Sequence, residues 1–272
     1  MATLQYKFTS DILFKMLFTR NEELLRSLVA AALGIAPADI KTLNVKNPEI
    51  LPEEPGSKFC RLDLNMVVND ELVDLEIQVA DEGNFKERAL YYWSKIFAAS
   101  LDEGKDYLLV PRTVLISILD FDLFSCEGML SEFAILEKTR YELLTDKFEL
   151  DFYELRKLPD IIDKSDMMQV WLKLIGARTE EDVLAVERLE VREMAQAVSA
   201  YRQITGSQEY QELERMRDKA RHDEAQALGN ARRQERDATL KETAKRLLTL
   251  GIPADTISIA TELSCEEIEN LK

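Results

Sequence analysis

Two runs, FCRLDLNMVV (59–68) and ELVDLEIQVA (71–80), alternate apolar and polar residues on either side of Asn69-Asp70, and they constrain the fold more than any other stretch. Asn and Asp tolerate positive φ, so the pair predicts a two-residue hairpin turn. On that register Val68 faces Glu71, Asn65 faces Asp74, Asp63 faces Glu76 and Arg61 faces Gln78. Strand side chains alternate between faces. One face then collects Leu62, Leu64, Met66, Val73, Leu75, Ile77 and Val79. The other collects Arg61, Asp63, Asn65, Asp74, Glu76 and Gln78. Directly opposed Cβ atoms lie about 4.5–5.5 Å apart, and like charges so placed destabilise a sheet. Two readings of Asp63 against Glu76 stand. A hard divalent cation takes one or two carboxylates and keeps several waters, which would explain the pair. Alternatively, this is the solvated polar side of an antiparallel sheet, with Arg61 easing the repulsion.

The rest of the chain surrounds this hairpin with alternating elements. Ser10 or Thr9 predicts the cap of a first helix, and a second runs from about Asn21 to Leu33, stopped by Gly34. Ile40 to Val45 predicts a strand, and the proline-rich stretch from Asn47 to Gly56 a loop. A helix follows over about Asn84 to Leu101, and then strands over 111–124, 131–140 and 147–155. This is an α/β layered core with a central mixed sheet, residues 1–158. After Pro159 the pattern is all-helical, first an extension (159–206) and then a charged helix with a small helical tail (207–272). In the tail, Gly251 breaks one helix, Pro253 starts a second and Ser264 starts a third.

Composition narrows the chemistry. His222 is the sole histidine and lies in a highly charged stretch, which leaves no basis for a Ser-His-Asp triad or a histidine metal site. The three cysteines, Cys60, Cys126 and Cys265, are far apart, so no disulfide framework or thiolate zinc site is expected. Phosphate-loop, dinucleotide and nucleophile-elbow motifs are missing. Any catalysis therefore falls to carboxylates. No apolar run reaches the roughly 18 residues of a membrane span, and acid and lysine interrupt the N-terminus where a leader would be apolar. A cytoplasmic protein with no membrane partner is expected. The net charge of −16 leaves no global basic footprint, so a nucleic-acid enzyme would use a local basic strip, plus metal ions that offset its own carboxylates.

The ordered set Asp63, hairpin, Glu76-Ile77-Gln78 resembles the PD-(D/E)XK nuclease superfamily. More narrowly, it resembles the recombination-promoting nuclease (Rpn) family of bacterial nuclease-type transposases, in which Gln replaces the lysine of the E-x-K element. Asp11-x-x-Phe14-Lys15-x-x-Phe18 resembles that family's opening helix. Arg88, Tyr91, Tyr92 and Ser94 resemble its next helix. Gly104 to Tyr107 with Val114 to Leu119 resemble the segment beyond that helix. The resemblance covers about residues 7–125. It implies a restriction-endonuclease-like core and a Mg²⁺- or Mn²⁺-dependent DNA endonuclease linked to recombination or transposition. Asp63, Glu76 and Gln78 would be catalytic, and Asp63, Glu76 and the Ile77 carbonyl would hold the metal. Asp11 either approaches that site or simply complements the helix dipole. Arg88 and Lys86 either touch phosphate or are solvated helix charges. Gln78 cannot act as a charged base, which leaves proton abstraction to water, metal hydroxide or substrate. The rival reading is an inactive nuclease-fold protein that binds protein partners, or its own copy, through the charged helix. The closing helices also admit a helix-turn-helix reading, against which their many acids argue.

Overall fold

The computed structural model describes residues 3–46, 49–50, 60–61, 63–101 and 104–271, with backbone only at 49–50, 60–61, 221 and 224. Leu62 and most of the proline-rich stretch lie outside the described residues. In chain order the elements begin with helices α1 (Asp11–Thr19) and α2 (Glu22–Ala32), followed by strands β1 (Leu43–Val45), β2 (Glu49–Ile50) and β3 (Cys60–Arg61). The hairpin strands are β4 (Leu64–Val68) and β5 (Glu71–Gln78). Helix α3 (Phe85–Ala98) leads to β6 (Thr113–Leu119), β7 (Leu130–Phe133) and β8 (Phe148–Glu154). Helices α4 (Met167–Ile175), α5 (Glu180–Glu187), α6 (Arg192–Thr205), α7 (Gln208–Thr249), α8 (Ala254–Thr261) and α9 (Cys265–Glu269) complete the chain.

The central sheet has six strands in the order β1-β4-β5-β6-β8-β7. It is mixed, with β5, β6 and β8 parallel and the other pairs antiparallel. The hairpin register is the one its alternation demands, from Val68 opposite Glu71 to Leu64 opposite Leu75. Asn69 and Asp70 both take positive φ, at 48° and 70°, as a two-residue turn of this hand requires.

Each face of the sheet has its own cover. Leu64, Met66, Val73, Leu75 and Ile77 share one core with α1, α2, α4 and α6, whose Trp171, Phe14 and Phe18 are fully buried. The opposite face carries Leu115, Leu119, Phe148, Leu150 and Phe152 against Phe85 and Ala89 of α3. The polar side of the hairpin points into this second layer. Asn65, Asp74, Glu76 and Ser117 are all buried, so the solvated-face reading of the hairpin is wrong.

Three predicted elements differ. The strand expected over 59–68 is divided: Arg61 pairs with Glu49 in a separate two-stranded ribbon instead of facing Gln78, and the main strand begins at Leu64. Val79, placed on the apolar face, lies beyond the end of β5 and is exposed. The strand expected over 131–140 stops at Phe133, because Leu144 N–H donates to the Ile135 carbonyl and the chain pairs with itself, Leu136 bridging Leu143.

The chain forms two compact units, Met1–Tyr210 and Gln211–Lys272. Residues 159–206 contribute Trp171, Val183, Val198 and Tyr201 to the first unit's core. In the second unit Ala244, Ile257, Leu263 and Ile268 form a small core of their own. Gly251 takes φ 78° after the end of α7, Pro253 is the N-cap of α8, and Ser264 with Glu267 forms a capping box at the start of α9.

Candidate active site

The hairpin ladder stops one residue short of Asp63, and side chains continue it. Ile77 N–H donates to Asp63 Oδ2 at 2.9 Å, and Asp63 N–H donates to Glu76 Oε1 at 3.0 Å. Each carboxylate is thereby fixed by the other strand's backbone. Backbone N–H and C=O of one strand residue leave by the same edge. The Ile77 carbonyl therefore opens toward the gap where β4 has ended, beside both acids. On the other edge, the Gln78 carbonyl accepts from Asp120 N–H at 2.8 Å, which ties the end of β5 to the end of β6.

The electrostatics follow from burial. Glu76 is pushed up to about 8, chiefly by loss of solvent and then by the Asp63 charge, against the pull of Asp63 N–H, Arg88 and Lys15. Asp63 is also raised, by burial and by Asp11, although the Lys15 charge and the Ile77 N–H oppose this. Asp74, completely enclosed two residues earlier on β5, is raised well above the ordinary carboxylate range by burial, Glu76 and Asp63. Lys15 Nζ lies 3.1 Å from Asp63 Oδ1. Asp11 and Lys15 are four residues apart on α1 and so share a helix face, which brings both to Asp63. That spacing is the signal in the sequence that could have found Lys15, to which the sequence alone assigned no role. The enclosed set Asp74, Asn65 and Ser117 was also missed, because alternation alone does not show that a helix covers the polar face.

The remaining candidates divide. Arg88, on the first turn of α3, acts on Glu76 and stacks 4.9 Å over the Phe85 ring. Gln78 ends β5 half-buried. Lys86 is not part of this set, since its ammonium lies 4.7 Å over Phe124. His222 is exposed on α7.

A family model described as PD-(D/E)XK nuclease family transposase matches residues 8–231. The chain belongs to that family. No curated protein and no solved structure matches the chain. Membership makes the protein nuclease-type, and nucleases of this superfamily typically use divalent metals. The transposase-family match and the mixed six-stranded sheet agree with the fold class expected from Asp63, Glu76 and Gln78. The residues fit a hard cation. Two carboxylates and one carbonyl edge converge, and burial raises both acids, a cost that a bound cation would offset. Among the described residues no three acidic, histidine or cysteine side chains form a ready-made cage, so water and the carbonyl must complete any coordination shell. No helix of the described residues is long and apolar enough to cross a membrane.

Proposed function

We propose that this member of the transposase-nuclease family is a divalent-metal-dependent DNA endonuclease. The observation that carries the reading is the reciprocal bonding of Asp63 and Glu76 at the open end of the hairpin. Two mutually repelling buried acids are held together by backbone donors, an arrangement that disfavours the metal-free state and suits a cation. Asp63, Glu76 and the Ile77 carbonyl would hold Mg²⁺ or Mn²⁺, with Asp11 at the margin. A bound divalent ion polarises a phosphoryl oxygen and lowers the pKa of coordinated water. The chain supplies the rest. Gln78 orients the attacking water or a phosphate oxygen through its amide. Lys15 offsets charge on Asp63 and on an incoming phosphodiester. The α3 layer keeps solvent from the buried side of Glu76. Work inside the cell on bacterial DNA, in recombination or transposition, fits this chemistry.

A second reading has one observation in its favour. The Lys15–Asp63 ion pair already gives the acid a cation, as an inactive nuclease fold used for protein binding would need. Plasmid cleavage by the full chain with Mg²⁺, Mn²⁺ or Ca²⁺, run beside Asp63→Asn and Glu76→Gln, decides between them. The endonuclease reading expects cutting with Mg²⁺ or Mn²⁺, a drop of at least about a hundredfold in either variant, and a metal-induced rise in melting temperature. Absence of both cleavage and a metal-induced shift favours the binding protein. Wild-type cutting by either variant defeats the site assignment.

A further inference from the structure

The acids at the end of β5 must meet a polyanion on a chain of net charge −16, so the cations nearest them are informative. One such group stands at the same end of the sheet. Asp120 follows β6 directly, and its N–H bonds the Gln78 carbonyl at 2.8 Å, so it begins one strand away from the catalytic strand. Adjacent strands lie about 4.8 Å apart. The Asp120 carboxylate is mostly buried, yet it carries two guanidinium groups. Arg178 Nη2 lies 2.6 Å from Asp120 Oδ1, and Arg156 Nε lies 3.8 Å from the same oxygen. The arginines come from different places, Arg178 from the turn before α5 and Arg156 from the turn after β8. Both side chains remain about half exposed, at 55% and 50%. Among the described residues, Asp120 is the only carboxylate that either guanidinium pairs with, although the Arg178 backbone N–H also donates to Asp182 Oδ2 at 3.0 Å, and both forks keep solvent-exposed N–H donors. The neighbouring Lys157 differs, since Glu154 and the Phe124 carbonyl occupy its ammonium.

An ion pair that only tied loops together would need one arginine. Two half-exposed guanidinium forks on one sheltered acid, beside the active-site strand, can donate paired N–H groups to the two non-bridging oxygens of a phosphodiester. We propose that Arg156 and Arg178, oriented by Asp120, form a clamp for the phosphodiester backbone of DNA and seat it beside Asp63 and Glu76. This rests on the endonuclease reading and adds to it the residues that hold the substrate. Such contacts position the strand and carry no base specificity.

The test measures binding of a labelled random-sequence DNA duplex to the full chain by fluorescence anisotropy, in Ca²⁺ and at several salt concentrations. Arg156→Gln/Arg178→Gln should weaken binding about tenfold and lower the slope of log K against log salt by about two, one unit per lost phosphate contact. Arg140→Gln, an exposed arginine in the loop before β8 outside the clamp, should leave the slope unchanged. Asp120→Asn gives the opposite sign, because the amide oxygen still accepts from both forks and keeps them oriented while the competing charge is removed, so binding should hold or tighten. A double variant with wild-type affinity and slope overturns the clamp. So does weaker binding in Asp120→Asn with its melting temperature unchanged. Arg156→Gln alone, which breaks only the 3.8 Å contact, serves if the double variant does not fold, and it should lower the slope by about one. If the wild type cuts plasmid in Mg²⁺ while the double variant binds normally, only the clamp fails. If the wild type neither binds nor cuts, the endonuclease reading fails with it.

Discussion

Glu76 is where the fold and the proposed chemistry pull in opposite directions. Its ordinary value of 4.5 rises to about 8 in the folded chain. Between those values the native state keeps a proton that the unfolded state has released, so stability falls as pH rises through the window. Asp151, buried among Glu149 and Glu132 at the other margin of the sheet, is raised to about 8 and adds the same sign, as does Asp74. In a metal-free buffer the melting temperature should therefore drop from pH 5 to pH 8. Glu76→Gln and Asp151→Asn should each flatten the slope, but only Glu76→Gln should also erase the stabilisation by Mg²⁺ at pH 8. A melting temperature that rises over this range, or a slope unchanged by Glu76→Gln, would show that Glu76 titrates as an ordinary acid. The pairing of Asp63 with Glu76 was legible from the sequence because side chains alternate and a two-residue turn fixes the register. The burial of Asp74 was not legible, since a polar strand position looks the same whether water or α3 covers it. The four-residue spacing of Asp11 and Lys15 put both on one helix face, but their approach to Asp63, 48 positions after Lys15, became visible only in the fold.

At the scale of elements, the Asn69-Asp70 turn sets every pairing above it. Asn69 does more than adopt positive φ. Its Oδ1 accepts from Lys41 N–H at 2.7 Å and Thr42 N–H at 3.2 Å, while its Nδ2 donates to the Asp39 carbonyl at 2.8 Å. Asp70 is exposed and contributes its backbone shape. Glycine should therefore act oppositely at the two positions. Asp70→Gly relieves left-handed strain of about 1 kcal/mol and adds about 0.5 kcal/mol of unfolded-state freedom, a net gain of a few tenths. Asn69→Gly relieves the same strain but loses three hydrogen bonds worth about 1 kcal/mol each, so it should cost on the order of 2 kcal/mol. Chemical denaturation of the two variants measures both signs. Equal effects would mean that Asn69 is only a turn residue. The strand runs were readable where their partners are long, as in β5 and β6. The extent of β7 was not, because residues after Phe133 are just as strand-like and stop only because Ile135 meets Leu144.

The whole molecule divides after Tyr210, a residue from the start of the charged α7. Tyr210 is fully buried and packs edge-on to Tyr6 with ring centroids 5.0 Å apart, while Glu209 pairs with Arg20 at 2.6 Å. A chain ending at Glu214 should melt close to the first transition of the full protein and keep its Mg²⁺ response. A chain ending at Gly206 loses a large buried ring, worth about 3–5 kcal/mol, and should melt on the order of 10 °C lower. If both truncations melt alike, Tyr210 does not help hold the first unit together. Sequence composition marked the solvated character of α7, but a single tyrosine among charges gave no sign that its first turn belongs to the core. Further long-range stitches lie at the N-terminus. Leu4 N–H bonds the Arg178 carbonyl at 2.8 Å, Thr3 bridges Thr179, and α1 packs on α6. This connectivity orders events on the ribosome. The hairpin with Asp63 and Glu76 is made early, but the surface that seats α1, and with it Lys15, arrives more than a hundred residues later. At about 5–20 residues per second, that is a delay of several seconds or more. A partly synthesised chain therefore carries both acids before α6 is available to seat α1 and Lys15 beside them.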